Sequence, residues 1–201
     1  MANIAGPFGL MQRGTASGPP NFAESHDPPY HIAYGYSTAI FFGDLVKTNA
    51  SATGYIEQWV AGDGGTAARI PVGVFVGCSY YSTSQKKTVW NNYWPGSDAT
   101  GDVNAYIVDD PNAEFLVQAN AGPIARTAIG QTADLVVNAG NTITGISGMA
   151  LDTPTTTPTF PLKVVGFYLS PPGANGTDIT TAYNNVIVAF NNQMFKNPAG
   201  V

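Results

Sequence analysis

The sequence predicts an all-β protein: a single antiparallel β-barrel or β-sandwich domain over residues 34–201, carrying an extended N-terminal arm over residues 1–33. Three observations predict it. Short apolar runs rich in β-branched and aromatic residues recur along the chain, each bounded by Gly, Pro, Asn or Asp. Charged residues make up only 10 % of the 201 residues, against about 25 % in an average domain, and turn-formers take their place. Hydrophobic content is nevertheless ordinary at 44 %, so the chain has the apolar surface to fold and lacks the high charge of a disordered segment.

The arm comes first. Gly6-Pro7, Gly18-Pro19-Pro20 and Asp27-Pro28-Pro29 break any helix, because proline removes a donor and disfavours α geometry before it. Ile4, Phe8, Leu10, Met11, Phe22 and Tyr30 are apolar anchors spaced along it, a pattern for packing on something rather than for a free linker. Strand signals follow at 38–48 (TAIFFGDLVKT), 54–60 (GYIEQWV) and 70–81 (IPVGVFVGCSYY), the last with glycines that suggest bulges. Residues 87–94 (KTVWNNYW) make another strand, closed by Pro95-Gly96. The runs 103–108 and 114–118 flank Asp109-Asp110-Pro111-Asn112 and read as a hairpin. Further strands are expected at 127–137, 142–145, 162–169 and 185–190, and a weak helix at 173–183.

Composition excludes several classes of function. Eight Lys and Arg against thirteen Asp and Glu give a net charge of −5, with no basic stripe for nucleic acid or an anionic membrane. No stretch approaches the roughly 20 apolar residues of a membrane span. The first residues lack a basic region followed by an apolar one, so the chain is expected to be made and kept in a cytosol or in a particle assembled there. Without secretion the sequons at Asn49 and Asn175 are chance matches. Cys78, the only cysteine, sits in an apolar run and reads as a small buried hydrophobe.

Catalytic and metal-binding patterns are thin. His26 and His31, the only histidines, lie with Asp27 on a proline-rich stretch, and no second cluster supplies the remaining ligands. Asp109, Asp110 and Glu114 fall at the predicted turn rather than across a cleft. Asp98, Asp102 and Asn104 loosely resemble a calcium loop but miss its spacing. There is no nucleophile elbow or phosphate loop. A non-enzymatic chain without cofactor or metal is expected. The best binding candidate is the aromatic cluster Tyr80, Tyr81, Trp90, Tyr93 and Trp94, suited to a protein interface or to a sugar, with core filling as the plain alternative. Strand alternation puts Trp90 and Trp94 on one side and Tyr93 on the other.

Several motifs in a fixed order carry a resemblance. They are the opening Met1-Ala-Asn-Ile-Ala-Gly-Pro-Phe-Gly-Leu10, then Phe42-Gly43-Asp44-Leu45-Val46, then Gly73–Gly77 (GVFVG) and Tyr93-Trp94-Pro95. The run 108–118 (VDDPNAEFLVQ), Gly145-Ile146-Ser147-Gly148 and Leu151-Asp152 complete the set. In this order the chain resembles tailed-phage capsid decoration, or cement, proteins. The resemblance implies a homotrimer on the outer surface of the virion head, over three-fold and quasi-three-fold positions, with the major capsid protein as partner. It implies capsid or trimer contacts among Ile4, Phe8, Leu10, Met11, Phe22, Tyr30, Tyr80, Tyr81 and Tyr93. Residues 11–27 match nothing in that pattern. The alternatives are a tail or baseplate component, or a carbohydrate-binding β-sandwich using the Trp/Tyr cluster.

Overall fold

The computed structural model describes residues 2–15, 30–49, 54–65, 69–169 and 176–196. These form thirteen strands: β1 (Met11–Thr15), β2 (Tyr30–Ile32), β3 (Leu45–Thr48), β4 (Ile56–Gln58), β5 (Pro71–Ser82), β6 (Lys87–Asn91), β7 (Val103–Val108), β8 (Ala113–Gln118), β9 (Thr132–Ala133), β10 (Leu135–Val136), β11 (Ala150–Leu151), β12 (Leu162–Phe167) and β13 (Asn185–Phe190). Two single turns of 3-10 helix, Asp63–Gly65 and Arg126–Ala128, are the only helical residues among those described. The fold is all-β with antiparallel ladders, as composition and spacing predicted.

The architecture is a sandwich of unequal halves. One sheet runs β1-β8-β13-β12-β9, the other β2-β7-β5-β3-β4 with β6 added to β5, and β10-β11 form a small ribbon. The second sheet curls until His31 in β2 meets Tyr55, beside β4, through a single parallel bridge. That is one contact and not a ladder, so the expected barrel alternative does not close. Asp102 fastens the seam, accepting from the Tyr55 hydroxyl at 2.7 Å and the Tyr34 N–H at 3.0 Å.

Two cores result. Val46, Phe75, Ile107, Ile32 and Trp94 fill the inside of the curl. Leu45, Val74 and Val108 point the other way, into a second core with Phe115, Val188 and Phe190 of the five-stranded sheet. The middle strands are thus buried on both faces, which explains why residues 70–78 read as a continuous apolar run rather than an alternating one.

Four expectations are corrected. Residues 103–108 and 114–118 are not a hairpin. Both edges of β7 are already taken, by β5 and β2, so the chain turns the corner at Asp110 and β8 pairs instead with β1 and β13. The turn itself is as expected, with the Ala113 and Asn112 N–H groups bonded to Asp110. The strand at 127–137 breaks into a 3-10 turn and two short pieces, because Asp134 turns inward to accept from the Trp59 indole N–H at 2.9 Å. No helix forms over 176–183, while 173–175 lie outside the described residues. The buried Asn3 side chain instead bonds the Gly176 N–H and the Asp178 and Ala182 carbonyls, and the Asp178 carbonyl is one that a helix over 173–183 would pair internally. Residues 142–145 form a tight turn in place of a strand.

The segment expected as an arm is extended where it is described, and it lies on its own body. β1 is the edge strand beside β8, and β2 pairs β7. Gln118 clamps the stretch before β1, accepting from the Gly6 N–H and donating to the Ile4 carbonyl. Leu10, at 1 % exposure, belongs to the core between the sheets. Leu10→Ala should therefore destabilise the fold by about 3 kcal/mol, read as a drop in the denaturation midpoint at unchanged slope.

Candidate interaction surface

Four of the quoted motifs, at 6–10, 42–46, 73–77 and 145–148, meet around one buried carboxylate. Asp44 sits in the bend before β3, tightened by Gly43 at φ +90°. Its Oδ2 accepts from the Phe41 N–H at 2.8 Å and the Gln58 amide at 2.7 Å, and its Oδ1 from the Ser147 hydroxyl at 2.5 Å. Backbone bonds lace the same place: Leu10 N–H to the Gly43 carbonyl, Gly43 N–H to Phe75, Phe75 N–H to Asp44, and Ser147 N–H to Phe42. Gly9, at φ +71°, admits no side chain, since a Cβ would stand 2.5 Å from that of Ser147.

From this tie a turn projects outward. Asn141 organises residues 141–146: its side-chain oxygen accepts from the Ile143 and Thr144 N–H groups, and its carbonyl from Gly145. The Asn141 N–H returns to the Ile146 carbonyl, and the Phe42 N–H reaches Gly145. The Asn92 amide donates to the Thr144 carbonyl at 2.9 Å. Ile143 stands at the tip, and Ile146 is also exposed.

Beyond Asn92 lies β6. The pairing register puts Trp90 opposite Ser79, and Ser79 opposite Asn104, so Trp90, Tyr81, Thr88 and Tyr106 share the outer face of the curled sheet. Trp90 is 65 % exposed and Tyr81 47 %. Two carbons of the Trp90 six-membered ring lie 2.9 and 3.4 Å from where a Gly77 Cβ would stand, so the indole occupies the room that glycine leaves. An open groove of about 430 Å³ follows this strand, lined by Gln85, Lys87, Thr88, Val89, Trp90 and Asn91. Asp98 holds the base of the β5–β6 hairpin. The Ser82 hydroxyl, with Thr83 and Ser84, draws its carboxyl down to about 2.

The aromatic cluster is thereby split. Tyr80 and Trp94 meet edge-on at 5.0 Å inside the curl and are core. Tyr93 is half-buried, stacked on Phe41 at 5.5 Å. Trp90 and Trp94 do not share a side, because the β6 ladder stops at Asn91 and the chain bends before Trp94, resetting the alternation. Of the arm residues, Ile4 is exposed, Met11 marginally so, Phe8 and Tyr30 are half-buried and Leu10 is core. Leu10 and Tyr80 are thus corrected as contact candidates: each is already enclosed by this chain's own side chains. Phe22, His26 and Asp27 lie outside the described residues. The Tyr30 hydroxyl bonds Asp109 at 3.0 Å, and burial followed by that carboxylate pushes its pKa up.

Cys78, Asp98 and Asp102, weighed for chemistry, each make contacts within the fold. Burial pushes the Cys78 thiol up to about 12, which keeps it protonated, and the group points at the Tyr93 carbonyl. Asp98 and Asp102 belong to separate networks, and no cluster of three metal-ligating side chains occurs among the described residues. Ile143 and Ile146 are the surface residues that sequence reasoning passed over. The signal was an apolar residue held inside Asn141-Thr-Ile-Thr-Gly145, a run with turn chemistry at both ends. Comparison with protein-family models, with curated proteins and with solved structures finds no match.

Burial pushes the Asp44 carboxyl above its ordinary 3.8, against the opposing pull of its hydrogen bonds. The folded chain then binds that proton more tightly than the unfolded chain. This contribution to stability is full below about pH 3.8 and falls as pH rises through the folded-state pKa. Asp44→Asn removes the titration, so the stability of wild type relative to that variant should decline over this window in denaturant melts. Asp44→Ala leaves three buried donors without an acceptor and should cost about 3 kcal/mol or more.

Proposed function

We propose that this chain is a non-enzymatic structural subunit that decorates the outside of a tailed-phage head and stabilises the lattice of its major capsid protein. What carries the reading is the meeting of the motifs. The opening Gly6–Leu10, the Phe42-Gly43-Asp44 bend, the Gly73–Gly77 stretch and Gly145–Gly148, whose order resembles that of cement proteins, are bonded to one another around Asp44. A rigid body with two cores also suits a clamp, which must hold its shape while the shell beneath it is under outward pressure.

The surface supports the same reading. Uncharged segments carrying Trp90, Tyr81, Ile143 and Ile146 stand outside a well-packed body, and an interface core is typically poor in charge and rich in aromatic residues. As a homotrimer over three-fold and quasi-three-fold positions, three modest contacts would act together and raise the apparent affinity by orders of magnitude. A carbohydrate-binding role is the second reading, favoured by one observation: the exposed Trp90 ring beside a groove whose polar lining is Gln85, Lys87, Thr88 and Asn91.

Purified protein mixed with expanded heads that lack it, then sedimented, should bind saturably at about one copy per capsid subunit. Absence of binding at any protein concentration would count against the decoration role, and retention on a glycan array would then favour the second reading.

A further inference from the structure

Lys47 is 3 % exposed, and a lysine is seldom so enclosed. Strand alternation sends it to the side of Leu45, whose core also holds Trp59. Its Nζ is in direct contact with Asp63 Oδ2, and Glu57 Oε1 stands 3.4 Å from the same nitrogen. The fold brings these groups together in three ways. Lys47 and Glu57 are cross-strand partners in the β3–β4 ladder. After β4 the chain turns back through Gly62, at φ +90°, into the 3-10 turn that begins with Asp63. The Val60 N–H then donates to Asp63 Oδ2 at 2.8 Å and holds the carboxyl against the amine. Arg69 completes the group, its guanidinium 3.8 Å from Glu57 and 4.0 Å from Asp63.

We propose that Lys47 and Asp63 join in an intramolecular isopeptide bond, with Glu57 as the proton carrier. Lys47 gives a proton to Glu57, and its neutral Nζ attacks Asp63 Cγ. The Nζ–Cγ bond forms and one Cγ–O bond breaks. Of the three ammonium protons, two leave with that oxygen as water, one of them by way of Glu57, and the third stays on the amide. Glu57 ends as it began, and no oxidant, nucleotide or cofactor enters. The Val60 N–H is placed to hold the oxygen that remains as the amide carbonyl. Three arguments favour the bond over the ion pair. A buried pair keeps two charges out of water at a cost that a neutral amide does not carry. Holding amine and carboxyl in contact raises their effective concentration to about 10⁵ M or more, which offsets the unfavourable condensation. Joining removes one positive and one negative charge and leaves Arg69 facing Glu57, so the group stays balanced. The bond ties β3 to the turn after β4, the three-residue strand at the edge of the curled sheet. It also closes a loop in the chain and constrains the unfolded state as a disulfide does. It requires nothing of the decoration reading.

Mass spectrometry of the full chain, purified folded and then denatured, should give a mass one water, about 18 Da, below that of the sequence. Trypsin should leave residues 14–69 as one piece, because an acylated Lys47 is not cleaved, and cutting that piece after Glu57 should leave the parts on either side still joined. Lys47→Arg and Asp63→Ala should each show the full mass of their sequences. Glu57→Gln should accumulate unjoined chain. If that variant does not melt cooperatively, Glu57→Asp, one methylene shorter, replaces it with the same expectation. Wild type of full mass, or cleaved after Lys47, overturns the bond, as does a water loss that persists in Asp63→Ala. Glu57 variants that join as completely as wild type overturn the role of Glu57 and leave the bond standing.

Discussion

The buried carboxylate of Asp44 is the interaction on which the rest of the structure depends. An unpaired charge in such a place is strongly destabilising, yet here it is met by three donors: Phe41 in the same bend, Gln58 at the end of β4, and Ser147 after the projecting turn. Its position gives it this leverage. Immediately after it, Leu45 enters the core between the sheets and Val46 the core inside the curl. Strands buried on both faces leave no water to satisfy a stray polar group, so the bend before β3 must be closed completely or not made at all.

The same constraint explains the glycines around it. Gly9 and Gly43 adopt positive φ and pass within contact distance of backbone or of Ser147, where a side chain would collide. They let the N-terminal stretch cross the bend closely enough for Leu10 to reach the core. That stretch is therefore a component of the fold as well as an extension of it. Lys47 repeats the logic at smaller scale, buried on β3 and held by Asp63 and by Glu57 at 3.4 Å, with Arg69 beside both acids.

How much of this was legible in the sequence depended on the range of the interactions. β7, β8 and β13 announced themselves through local alternation or unbroken β-branched runs, and their bounds match the expected ones closely. What failed was long-range. Nothing local to 103–118 says that both edges of β7 are occupied, and nothing local to 176–183 says that Asn3 will take up its polar groups. Asp134 looks like any strand-breaking acid until Trp59 is placed against it. The aromatic cluster was visible as a composition, but a bend after Asn91 decides which ring is core and which is surface. The turn at 141–146 was missed because an apolar residue between turn-formers resembles a weak strand, and its position is fixed by bonds to Phe42 and Asn92.

The scarcity of charge also takes on a different meaning once the fold is known. The chain has few ionisable residues to begin with, and several of them face one another or the backbone. Asp44 and Asp134 are enclosed in the body, Lys47, Glu57, Asp63 and Arg69 form one network, and Asp98 and Asp102 fasten a hairpin and a seam. A freely diffusing protein relies on like-charge repulsion to stay apart from its neighbours, and this one buries Asp44, Lys47 and Asp134 while placing indole and isoleucine side chains outside. A braced turn and a rigid two-core body can supply shape complementarity without the steering that charge would give.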